Sequence, residues 1–255
     1  MKSGSQHLFT NKDLRKLLIP IMVEQLLSSL MGTIDTMMVS NVGSAAISAV
    51  SLVDSINILV IQALSALAAG GAILCSQYVG SENTQEANRS AGQVLLVMAA
   101  LSTALSVICL VLRDPMLRLI FGKVDADVMA NSRTYFLFTL LSFPFIGLYD
   151  AGASIFRAQN NTRTPMVISV ISNLMNIAGN AVLIFGFDMG VAGAAISTLV
   201  SRIFCAIVVL WQLRSPLQPI SVRYYAKIRP DFSLIRRVLL IGVPSGIENS
   251  MFQFG

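Results

Sequence analysis

"GVPSGIENSMFQFG" (residues 242–255) and "LIPIMVEQLL" (residues 18–27) each carry a glutamate four residues after a proline inside an apolar run. Aligned on their prolines, Pro20 meets Pro244, Val23 meets Ile247, Glu24 meets Glu248 and Gln25 meets Asn249, all identities or close replacements. A basic pair precedes each copy, Arg15 with Lys16 and Arg236 with Arg237, so both runs enter the membrane from one side. Two such segments six spans apart in order, and so running in the same direction, form a parallel repeat, related by an axis along the membrane normal. Transporters use this arrangement, with the substrate path between the halves.

Between the copies the chain is built for hydrocarbon. Its residues are 55% hydrophobic and only 12% charged, about half the ~25% charge of a soluble domain. Apolar runs near Leu17–Val39, Ile47–Val79, Ala91–Leu112, Tyr135–Phe156, Met166–Phe187 and Gly193–Leu213 reach or exceed the ~20 helical residues that cross a bilayer core. A seventh begins near Val238. The runs are continuous rather than alternating, which favours helices over a membrane barrel, so the predicted fold is all-α and polytopic. The expected organisation is an N-terminal arm over 1–16, a six-helix lobe over 17–213, a basic linker over 214–237 and the start of helix seven over 238–255. On this reading the chain holds one lobe of a two-lobe protein of about twelve spans and lacks the C-terminal lobe.

Most Lys and Arg residues fall in the arm, in the turns holding Arg89, Arg157 and Arg163, and in the stretch from Arg214 to Arg237. The positive-inside rule then predicts a cytoplasmic N-terminus in a multi-pass cell-membrane protein. A basic face beside anionic lipid accounts for the net charge of +5 without nucleic acid. The only histidine, His7, lies in the arm, and Cys75, Cys109 and Cys205 stand isolated in apolar runs, as small packing residues do. Triad catalysis, metal ligation and a P-loop have no residues to build on, so no enzyme and no cofactor is expected.

What remains are polar residues at membrane depth, where an acid costs roughly 2.5–3.5 kcal/mol and is a functional candidate. Glu24 and Asp35 lie almost three helical turns apart, on one face of the first span. Asn173, Asn176 and Asn180 line one face of the fifth, as interhelical glue or as a cavity wall. Glu24 and Glu248 occupy equivalent places in the repeat. Each either faces a shared central path that attracts organic cations or is a buried, hydrogen-bonded acid at a proline kink. Asp54 is a further substrate-path candidate, although its position suits simple exposure to water better. Asp150 reads as structural. Arg202, deep in the sixth span, should pair with an acid such as Glu24 or snorkel inward.

Five stretches carry a family resemblance: "MGTIDTMMVSNVG" (31–43), "SQYVGSENTQEANRSAG" (76–92), "FRAQNNTRTPM" (156–166), "NLMNIAGNAVLIFGFDMGVAGAAISTLVSR" (173–202) and the closing "GVPSGIENSMFQFG". In order and spacing, from about Leu14 to the end, they resemble the multidrug and toxic compound extrusion (MATE) family. The resemblance implies a secondary antiporter that exports cationic amphiphiles, small organic cations, in exchange for H⁺ or Na⁺ by alternating access. It also implies a polar cavity in the N-terminal lobe where Asp35 meets Asn176 and Asn180 of the fifth span and Thr198 of the sixth. In some members the later fifth-span position is an acid, whereas here it is Asn180. One alternative is a lipid-linked sugar flippase of the same superfamily. That would call for a cationic central cavity, whereas the deep charges here are mostly acids. A non-transporting half-size membrane unit is the other alternative, against which the intramembrane acids argue.

Overall fold

The computed structural model describes residues 11–223, 225 and 228–254, and among these every regular element is a helix. They are α1 (Asn11–Ser40), α2 (Ser44–Gly80), α3 (Thr84–Val111), α4 (Arg113–Phe121), α5 (Ala126–Ala158), α6 (Arg163–Asn180), a π-helical turn (Ala181–Gly186), α7 (Gly190–Leu213) and α8 (Phe232–Phe254). Six are long and apolar enough to cross a membrane: α1 from Leu18, α2, α3, α5, α6 with its π turn, and α7. These are the six predicted spans. The second has 37 residues, about 55 Å of helix, so it outruns the hydrocarbon and must tilt or project beyond it.

Two boundaries depart from the hydropathy reading. The segment between the third and fourth spans is not a plain loop: it folds into α4, and α5 then starts at Ala126, ahead of its apolar run. Helix α8 begins at Phe232 rather than near Val238. Its start is set by capping, not by hydropathy, because Asp231 Oδ1 accepts from the backbone N–H groups of Ser233 (3.0 Å) and Leu234 (3.3 Å). The linker therefore ends at Pro230 and Asp231, and it is stitched to α3. Arg89 pairs with Asp231 at 2.7 Å, Gln93 donates to the Arg229 carbonyl and accepts from Asp231 N–H, and Asn88 accepts from Ser221 N–H. Outside the spans, the Tyr225 hydroxyl donates to the Leu210 carbonyl. Burial pushes it up to about 12, so it stays a donor at any physiological pH.

Helix α5 is the centre of the bundle, packed on α2, α3 and α7, while α1 lies at the rim along α6. Two apolar clusters form the core. Val39, Val53, Phe136, Phe143 and Val191 belong to one, and Leu64, Leu74, Phe156, Val209 and Leu213 to the other. On α2 and α7 the stretch between them carries polar residues: Asp54 and Asn57 on α2, and Ser197, Thr198, Ser201 and Arg202 on α7.

Helix α8 docks on α2 through glycine. A Cβ on Gly70 would run into the Gly242 backbone, and one on Gly242 would meet Leu67 at 3.1 Å, the small-residue approach typical of membrane helices. Gly70→Leu is expected to push α8 off α2 and destabilise the fold by about 1–3 kcal/mol. Gly32→Ala, on an open helix face with nothing within 4 Å, is expected to be neutral or slightly stabilising. Thermal unfolding of both variants in detergent checks the contrast.

Candidate functional site

The polar face of α6 turns toward α1 and α7, and there the predicted site residues meet. Asn180, fully buried, donates from Nδ2 to Asp35 Oδ1 at 2.6 Å. Asn176 satisfies both ends of its amide with Nδ2 toward Asp35 Oδ1 (2.9 Å) and Oδ1 toward the Thr198 hydroxyl (3.1 Å). The carboxylate of α1 is thus held by two neutral donors from α6, and α6 is linked to α7 through Thr198. Asp35, Asn176 and Thr198 line a cavity of about 280 Å³, together with Asn173, Ser169, Ser172, Ser201, Arg202, Tyr149 and Cys205. Asn173 Nδ2 in its lining, and Asn180 Oδ1 behind it, are buried with no protein partner among the described residues. Leaving such a group unsatisfied costs about 1–3 kcal/mol, so this void suits a polar occupant.

Arg202 lines the same cavity, and its Nη1 donates to Ser142 Oγ at 2.6 Å. It makes no ion pair among the described residues. The expected Arg202–Glu24 pair is therefore absent, and the guanidinium points into the lobe instead of snorkelling. Asp54 also differs from expectation. Rather than facing water it is half-buried and accepts from Asn57 Nδ2 and the Tyr135 hydroxyl, both at 3.2 Å. Tyr135 lies across from it on α5, a partner that α2 alone does not reveal.

Glu24 is buried and belongs to a different partner. Arg157 Nη2 reaches both of its carboxylate oxygens at 2.9 Å, and the Tyr149 hydroxyl lies 3.2 Å from Glu24 Oε1 and from the Pro165 carbonyl oxygen, shared between them. This claim on Glu24 is why Arg202 is left without it. Asp150 does not turn to Arg157. It accepts from Ser65 Oγ at 2.7 Å, tying α5 to α2. The side chain of Glu248 lies outside the described residues. Arg157, Tyr149, Ser142 and Tyr135 escape a sequence reading because each is an ordinary residue on its own helix. Only Arg157, one residue inside the "FRAQNNTRTPM" stretch, carried a signal at all.

Residues 20–182 match the MatE family. Among curated relatives, the chain is 27% identical to a probable multidrug resistance protein, NorM, of Thermotoga maritima, over 96% of this chain and 53% of that protein. It is 31% identical to an uncharacterized transporter, YisQ, of Bacillus subtilis, over 92% of this chain and 52% of that one. The chain spans about half the length of the curated relatives it matches. Its fold superposes, with a TM-score of 0.84 and 22% identity, on an outward-facing multidrug resistance MATE transporter of the MOP superfamily, over 92% of this chain and 52% of that one.

Removing one of the two donors to Asp35 tests the geometry directly. Asn180→Leu is expected to cost about 1.5–3 kcal/mol, as for a hydrogen bond to a charged group. The same substitution in an Asp35→Asn background should cost clearly less. Thermal unfolding across this double-mutant cycle measures the coupling.

Proposed function

The chain belongs to the MatE family, whose members are transporters rather than enzymes, and from that premise we propose that it forms the N-terminal lobe of a secondary antiporter. In this reading it exports cationic amphiphiles in exchange for H⁺ or Na⁺ by alternating access, with the N-terminus in the cytoplasm. As a multi-pass membrane protein it would work beside a second lobe that supplies the other wall of the path. The observation that carries the reading is Asp35, a carboxylate at membrane depth held by neutral amides at the edge of a polar cavity.

A charge in that position is expensive to keep without a purpose. Its partners are two amides rather than a permanent cation, so the carboxylate can take up a proton or a small cation and give it back. The unpartnered Asn180 Oδ1 beside it is the acceptor that such an ion, or the proton on Asp35, would use. If one conformation of the lobe favours the ionised form and the other the neutral form, ion binding shifts the population between them, and linkage makes substrate binding do the reverse. Thr198 and Asn176 then act by orienting the carboxylate. Glu248 and Asp54 are assigned to the substrate path, Glu248 by its place in the repeat and Asp54 by its position between α2 and α5. Glu24 is assigned to the edge of the same path.

Asp35→Asn, which imitates the neutral state permanently, is expected to abolish gradient-driven ethidium efflux by a chain carrying both lobes, while the fold and substrate binding persist. Efflux of unchanged rate and unchanged pH dependence in that variant would be incompatible with this assignment. Repeating the assay with a proton gradient alone and a Na⁺ gradient alone identifies the coupling ion.

A further inference from the structure

The cavity that holds Asp35 at one end is walled at the other by Tyr149. The Tyr149 hydroxyl sits where three helices meet, beside Glu24 of α1 and the Pro165 carbonyl of α6. Behind it, Arg157 closes on both oxygens of Glu24. The two carboxylates of α1, about 16 Å apart along the helix, are thus linked to one polar void, Asp35 as a lining residue and Glu24 through Tyr149.

Three observations bear on what this cluster does. First, α1 packs on α6, α2 and α7, and among the described residues α5 is not one of its main neighbours. What joins α1 to α5 across that gap is the Glu24 cluster. Second, the ion pair straddles a boundary: the Arg157 side chain is 37% exposed and that of Glu24 10%, so one partner faces outward and the other faces the lobe. Third, the nearby acid that would compete for Arg157, Asp150, is occupied by Ser65. Two helices that do not pack closely, bridged among the described residues by one ion pair backed by an aromatic hydroxyl, meet at a closure rather than a packing seam. Packing would fill it with small apolar side chains.

We propose that Glu24, Arg157 and Tyr149 form a gate that seals the Asp35 cavity from the end of the lobe carrying Arg157 and Arg163, and that parting of α1 from α5 opens it. Glu24 and Arg157 are positioning residues in this role, acting through access and not through contact with the coupled ion. The inference rests on the reading of Asp35 as the coupling site for its purpose, but its test does not depend on transport.

Cys205 supplies the probe, since it lines the cavity and is itself buried. With Cys75→Ser and Cys109→Ser it becomes the sole thiol of the chain. Its labelling by a membrane-impermeant methanethiosulfonate, 2-(trimethylammonium)ethyl methanethiosulfonate, is followed in membrane vesicles of both orientations. Glu24→Gln and Arg157→Gln are each expected to raise the labelling rate at least about tenfold, a population shift toward the open state, and only from the side bearing Arg157. The charge-exchanged pair Glu24→Arg with Arg157→Glu should return the rate to that of the parent. Parental rates in both single variants would overturn the gate. So would a charge-exchanged protein that labels as fast as the singles, because the cluster would then be holding the fold rather than closing the cavity. An Asp35→Asn protein with unaltered efflux alongside a Glu24-dependent labelling rate would remove the coupling assignment and leave the gate standing.

Discussion

Hydrocarbon does not tolerate an unanswered charge, and the placement of Arg202, Asp35, Asp54 and Asp150 inside one bundle governs the rest of this lobe. On insertion scales each such group costs roughly 2.5–3.5 kcal/mol at the membrane centre, a penalty that only neighbouring helices can relieve. The structure relieves it at successive levels along α2 and α5. Among the aliphatic and aromatic residues of the two apolar clusters, Ser142 meets Arg202, Tyr135 and Asn57 meet Asp54, and Ser65 meets Asp150. These partners come from a different helix in nearly every case. These bonds therefore cannot exist before the helices assemble, and once formed they oppose the helices' sliding past one another.

Helix α1 is the exception to close packing, and two of the candidate residues, Glu24 and Asp35, lie on it. Central α5 packs extensively against α2, α3 and α7, whereas α1 sits at the rim and shows much of its apolar surface. Its attachments to the interior are polar at two points: Asp35 to the α6 amides, and Glu24 to Arg157 and Tyr149. Polar bonds can be exchanged for others, for a proton or for an ion without unpacking a core, while interdigitated side chains move only with loss of contact area. A helix held in this way suits an element that must answer to a bound ion.

The interplay of local and long-range causes shows at the chain's boundaries. Hydropathy locates where a helix is buried in lipid, and it placed the six spans well. It does not locate where a helix begins: Asp231 starts α8 by capping it, and α4 forms in a stretch that hydropathy leaves as loop. Capping specifies where α8 starts and an amphipathic pattern specifies α4, and to both a count of apolar residues is blind. The same holds for the linker, whose contacts with Asn88, Arg89 and Gln93 join residues far apart in sequence.

Composition, periodicity and the Pro-Glu repeat determined by themselves that the chain is an all-α membrane lobe. They also determined that its acids and asparagines at membrane depth are the residues to examine, because the cost of burying polar groups in lipid is a property of each residue alone. The meeting of Asp35 with Asn180, Asn176 and Thr198 was legible only through family resemblance. The pairing of the charges was decided by tertiary structure. Glu24 went to Arg157 and not to Arg202, Asp54 turned to Tyr135 instead of water, and Arg202 was left facing a cavity. An electrostatic partner is chosen by distance across helices, and the rotation and stagger that set this distance come from packing of whole helix faces, glycine by glycine, rather than from the spacing of residues along one of them.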